Sequence, residues 1–248
     1  WWRRLRARGE LALHARLVGP APISARPAEP CAGPLGPPAF RADAMGPLGL
    51  VPPTRAPGEH EGIEAHSARV HHRLGWFAEL ARRAAQGDSE AGAEAARGLD
   101  AWLRQDVPGR GAAWEHASDL TVRLVHLAAG LSWLGSTISA ELGAATAGSA
   151  GWHLSQLRAR MPLGEGDGHR RVAHLTGMLV GGLQFPAASG ARASWSEAAS
   201  ALGPALERLV NRDGSDPSGS PAFLAQSLWL TAVAIAVARA NGTTLPDA

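Results

Sequence analysis

Residues 118–134 read Ser118-Asp119-Leu120-Thr121-Val122-Arg123-Leu124-Val125-His126-Leu127-Ala128-Ala129-Gly130-Leu131-Ser132-Trp133-Leu134. Leu120, Leu124, Leu127, Leu131 and Leu134 recur at spacings of four and three. That period places all five leucines along one side of an α-helix, and Gly135 stops it. The stretch predicts an amphipathic helix with its leucine stripe against a core. No strand-like alternation of apolar and polar residues is sustained anywhere in the chain, so this helical period sets the fold class.

The same period extends in both directions. It predicts helices over Ser67–Gln86, Ser89–Arg104, Ser139–Arg160, Arg170–Leu183, Ser194–Asn211 and Pro221–Ala240, separated by short turns that contain glycine or proline. Such a chain is all-α, built of antiparallel helical hairpins in a bundle, a solenoid or an α/α toroid. No exact repeat is present, which argues against a regular solenoid. The segments Val172–Leu183 and Leu224–Val237 are apolar on every side and are expected in the interior. Residues 221–238 carry no charge over 18 positions, the lower limit for a membrane span. Gln226, Ser227, Thr231 and the leading Pro221 favour a buried inner helix over a span.

Residues 1–60 read differently. Gly19-Pro20, Gly33-Pro34, Gly36-Pro37-Pro38, Gly46-Pro47 and Pro52-Pro53 interrupt any long helix. The expected organisation is an irregular Pro/Gly-rich arm over 1–60 and a helical domain over 61–248. The start, Trp1 to Arg8, is basic, but no apolar stretch with a cleavage site follows it, so no signal peptide is expected.

Composition narrows the ligand. All 24 basic residues are arginine, against 22 acidic ones, for a net charge of +2 and a pI near 9.8. Arginine grips carboxylates with a planar fork, which suits an acidic, carboxylate-bearing ligand. The acidic residues are mixed in throughout, which argues against nucleic acid. The lone Cys31 allows no intrachain disulfide and no thiolate cluster. His66, His71 and His72 with Glu59 and Glu64 read as solvated arm residues rather than a metal site, and neither metal nor cofactor is expected. Phosphate-loop, serine-elbow and zinc-protease motifs are missing. Lysine and tyrosine are both absent, in keeping with a GC-rich coding bias.

Four segments in order carry a family resemblance. They are His72-Arg73-Leu74-Gly75-Trp76-Phe77-Ala78-Glu79-Leu80-Ala81, then Trp102-Leu103 with Pro108–Trp114 and Arg123, then His169–Pro186, then Asp213–Phe223. Together they span most of the helical part. The chain resembles the N-terminal helical domain, an incomplete α/α toroid, of bacterial heparinase II/III-like polysaccharide lyases. The resemblance implies a carbon–oxygen lyase acting by β-elimination on uronic-acid polysaccharides of the glycosaminoglycan or alginate type. It also implies a following C-terminal β-sandwich domain and a periplasmic or secreted location. In that chemistry a donor cluster neutralises the sugar carboxylate, a base takes the neighbouring proton, and an acid protonates the leaving oxygen.

Mapped onto this chain, the resemblance assigns catalytic roles to His169 and Arg170. It assigns substrate binding to Arg123, Trp114 and Phe223, and position adds Glu115, just after the glycine-rich turn, and His174, four residues after Arg170, as candidates for the same cleft. Two departures stand out. Phe223 occupies the place of the family's tyrosine and has no proton to exchange. The family's asparagine-histidine pair falls on His169-Arg170 or, one residue earlier, on Gly168-His169. The expectation is therefore a lyase-like domain, or a catalytically impaired relative that binds acidic glycan or serves as a scaffold.

Structural alternatives accompany each site residue. Arg123 is preceded four residues earlier by Asp119, an intrahelical ion-pair spacing. Trp114 and Trp133 fit a core as well as a sugar platform. His174 either shares a face with Arg170 or is a satisfied core histidine, and Asp213-Gly214 reads as a turn. Glu115 and Asp119, four apart on one presumed helix, would lie on the same side of any sugar, which is poor geometry for flanking a glycosidic bond as a hydrolase would need.

Overall fold

The computed structural model describes residues 71–105, 114, 116–161, 168–211, 213–215, 220–243 and 245. The arm over 1–60 and residues 61–70 lie outside them. Among the described residues there are seven α-helices and no strand. They are α1 (Gly75–Ala85), α2 (Ser89–Gln105), α3 (Ala117–Leu134), α4 (Ala140–Ala159), α5 (Gly168–Gln184), α6 (Ala191–Leu209) and α7 (Pro221–Ala240). A single 3-10 turn, Gly135–Thr137, links α3 to α4. The fold is all-helical, as the apolar period predicts.

Local chemistry sets the boundaries. Ser139 caps α4 by accepting the Leu142 N–H at 3.1 Å, and Asp88 accepts from Ala91 at 3.0 Å to start α2. Pro221 opens α7 directly after Ser220, whose hydroxyl accepts the Phe223 N–H at 3.4 Å. Gly135, at φ 53°, ends α3 in a conformation that costs glycine nothing.

α1 departs from the expected single helix over Ser67–Gln86. Helical turns occur at His71-His72, break at Leu74 and resume at Gly75. Leu74 is fully buried and adopts φ 61°, the only non-glycine residue at positive φ among the described residues. Side chains hold the break open by taking the turn's carbonyls. Trp76 Nε1 donates to His71 O at 3.2 Å, Arg123 Nε to His72 O at 2.6 Å, and His126 Nδ1 to Arg73 O at 2.6 Å. An over-determined left-handed residue of this kind stores on the order of 1–3 kcal/mol.

α3 and α5 form the interior. Residues 119–130 of α3 are buried without interruption, far more than the leucine stripe alone predicts. The reason is that α1, α4 and α5 all pack around α3. α5 touches α3, α4, α6 and α7, and its glycines set the spacing. A Cβ at Gly181 would sit 2.9 Å from Leu154 Cδ2 of α4 and 3.0 Å from Leu124 Cδ1 of α3. One at Gly182 would sit 2.6 Å from the Ala191 carbonyl oxygen and 2.9 Å from the Trp195 nitrogen, both backbone atoms of α6.

α7 corrects a second expectation. Its face bearing Ser227, Leu230, Thr231, Ala234 and Val237 is buried, but Leu228 is 41% exposed and Ala225 faces outward too. It packs chiefly on α5, so only one side of this helix, uncharged up to Arg239, is covered. Among the described residues it alone is long and apolar enough to cross a membrane.

Gly182→Ala tests the close approach of α5 to α6. Backbone atoms cannot swing aside as a flexible side chain does, so the variant should lose about 1–3 kcal/mol in denaturant unfolding at unchanged m-value. Full retention of stability would show that the two helices are not held at this distance.

Candidate functional site

The side chains assigned by resemblance separate into two groups. The first surrounds Arg123, which is 0% exposed in the middle of α3. Its guanidinium carbon lies 5.3 Å from the ring centre of Trp102 on α2 and 5.3 Å from that of Trp114. Nε donates to the His72 carbonyl, and one terminal nitrogen lies 3.1 Å from His153 Nε2 on α4. The tautomer of His153 follows from its other nitrogen. Nδ1 lies 2.7 Å from the Ser149 carbonyl, which only accepts, so Nδ1 carries the hydrogen and Nε2 receives from Arg123.

Burial, helped by the Arg123 charge and opposed by the Ser149 carbonyl, pushes His153 down from 6.5 to about 3. His153 is therefore a neutral acceptor at physiological pH, with its lone pair already engaged. It also packs against Trp114, ring centres 4.5 Å apart. Trp102 donates its indole hydrogen to His72 Nδ1 at 3.1 Å. Asp119, the expected intrahelical partner of Arg123, instead receives Arg73 from the broken turn at 2.7 and 2.6 Å.

Arg123 and Trp114 thus occupy the core. Trp114 is 1% exposed, and its faces lie against a guanidinium and an imidazole, so it offers no platform to a sugar in this conformation. Trp133 packs, partly buried, on the same core. Glu115 lies outside the described residues, as do Glu59, Glu64 and His66 of the candidate metal cluster.

The second group lies where α5 and α7 begin. His169, in the first turn of α5, stacks on Phe223, in the first turn of α7, with ring centres 4.3 Å apart and planes within 7°. Two positions distant in sequence, both assigned by resemblance to the reacting centre, are therefore in contact. Arg170 beside them is exposed, and no acidic residue lies in the first turn of α5. The helix dipole favours an anion at such an end.

His174 lies one turn further in, and its Nδ1 donates to the Arg170 carbonyl at 2.8 Å. Burial holds it below the usual imidazole range; the Arg160 and Arg170 charges add to that, and nearby backbone carbonyls oppose it. Arg160, at the end of α4, also donates to the Trp114 carbonyl, which links this end of α5 to the Arg123 core. On the loop before α7, Asp213 accepts from the Ser215 backbone and hydroxyl at 2.9 and 2.7 Å, and Gly214 turns at φ 90°. Backbone and side-chain bonds from Ser215 hold the Asp213 carboxyl below the usual range. Asp213 and Gly214 thus build the turn. No three His, Cys, Asp or Glu side chains converge to hold a metal among the described residues.

Reasoning from sequence missed His153 as a member of the Arg123 cluster and named His72 and Trp102 only within the segments that carry the resemblance. One signal was available for His153. It falls with Thr146, Ala150 and Leu157 on a four-three-four spacing that marks the buried face of α4. Comparison with protein-family models, curated proteins and solved structures finds no match.

His153 predicts an acid sensitivity of known sign. Its folded pKa is depressed, so protonation favours the unfolded chain. Its contribution is complete above about pH 6.5 and is lost as pH falls toward 3. The limiting slope is about 1.4 kcal/mol per pH unit. His153→Gln keeps an acceptor but cannot titrate. Denaturant unfolding at pH 7 and pH 4 should show a smaller acid loss for the variant than for the parent, and equal losses would refute the assignment.

Proposed function

We propose that this chain is the helical domain of a polysaccharide-lyase-like protein that binds acidic, uronic-acid-bearing polysaccharide where α5 and α7 begin. In this reading the succession of helical hairpins is part of an α/α toroid. A C-terminal β-sandwich domain and a periplasmic or secreted setting belong to the same proposal. The observation that carries it is the stacking of His169 on Phe223. The two positions that the resemblance makes partners in chemistry are partners in space, beside an exposed arginine and a helix N-terminus suited to a carboxylate.

Phenylalanine in that position fills the tyrosine's volume and stacks on the imidazole, but it neither donates nor takes a proton. Binding without β-elimination at this centre is therefore the reading adopted. His169 is the one feature that favours a second reading, in which a β-sandwich domain completes an active lyase.

Calorimetric titration with heparan sulfate, chondroitin and alginate oligosaccharides tests the site. His169→Ala combined with Arg170→Ala should weaken binding at least about tenfold, the loss of about 1.4 kcal/mol that a charge-assisted contact supplies. Binding unaffected by the double variant would remove this site. Absorbance of an unsaturated product from the parent protein would replace the binding-only reading with the second one.

A further inference from the structure

α4 carries an exposed seam opposite the face it buries. Glu141, Ala145, Gly148, Trp152, Ser155 and Ala159 all face outward, at spacings of four, three, four, three and four. That spacing averages 3.6 residues, so the six positions form one outward face of the helix. Trp152 is 53% exposed, the most exposed large apolar side chain among the described residues. One turn away, a Cβ on Gly148 would meet nothing within 4 Å. The seam therefore holds a bulky projection and an open recess side by side.

Turned end for end, the seam matches itself. A two-fold axis passing beside residue 150 sets Trp152 over Gly148 of a second copy, Ser155 against Ala145, and Ala159 against Glu141. Charge selects the same arrangement. Glu141 is the one charged residue on the seam, and the exposed Arg158 and Arg160 flank Ala159 at the opposite end. Antiparallel pairing places each Glu141 between two arginines of the second copy and aligns the helix dipoles favourably. Parallel pairing in register would set Trp152 on Trp152 and Glu141 on Glu141. Arg158 bonds Glu197 at 3.3 Å and Arg160 holds the Trp114 carbonyl, but each guanidinium has five N–H groups, enough for a second acceptor. The other seam residues are small, which lets two backbones approach closely.

We infer that α4 is the interface of an antiparallel homodimer, with Trp152 of each copy seated over Gly148 of the other. The inference is independent of any ligand at the α5 and α7 ends. Sedimentation of the full chain over a range of concentrations should show a monomer–dimer equilibrium. Trp152→Glu and, separately, Glu141→Arg should each weaken it at least about tenfold. Both positions are exposed, so an unchanged thermal midpoint at low protein concentration will show that each variant folds. With Cys31→Ser in the background, a mixture of Ala145→Cys and Ser155→Cys chains should form a mixed disulfide, while neither forms one with itself. A monomer at every concentration, a dimer that Trp152→Glu leaves intact, or cross-links within a single variant would each overturn the inference.

Discussion

One buried cation organises this domain. Arg123 cannot shed its charge, so a place in the core is tolerable only with acceptors and polarisable faces arranged around it. The chain supplies a backbone carbonyl from the turn before α1, an imidazole from α4, and indoles from α2 and the segment before α3. Each guanidinium–indole stack contributes about 2 kcal/mol when desolvated. Four separate parts of the chain are thereby fixed to the centre of α3. The strained backbone at Leu74 follows from the same demand, because the turn that presents the His72 carbonyl is the turn that breaks the helix.

Around that centre the packing depends on what α5 lacks. Gly181 and Gly182 remove side chains where α3, α4 and α6 come nearest. The helices themselves were legible in the sequence because each has a strong local signal. Pro221 after a serine, Ser139 before an apolar run and Gly135 after Leu134 mark ends that the structure reproduces within a residue. The break at Leu74 was not legible. Besides Trp76, the side chains that hold it come from α3, some fifty residues along the chain. The exposure of α7 was equally hidden, because composition tells how apolar a helix is but not how many neighbours cover it.

The candidate site was legible in part. Family resemblance selected His169 and Phe223 from distant segments, and the two rings touch. It also selected Arg123 and Trp114, which turn inward. A sequence cannot distinguish an arginine that grips a ligand carboxylate from one that grips its own backbone, since both need the same fork of N–H groups. The spacing of Asp119 and Arg123 suggested a helical ion pair, yet Arg73 takes that carboxylate because the broken turn brings it alongside.

The paired indoles at Arg123 give the domain an optical property. The chain has nine tryptophans and no tyrosine, so its intrinsic fluorescence comes from indole alone. Most proteins tune indole emission by the mobility of surrounding water. Trp102 and Trp114 instead lie in a dry setting beside a fixed positive charge, and the field of that charge acts on the excited-state dipole of each ring. The position of one guanidinium thus biases the emission of two core indoles.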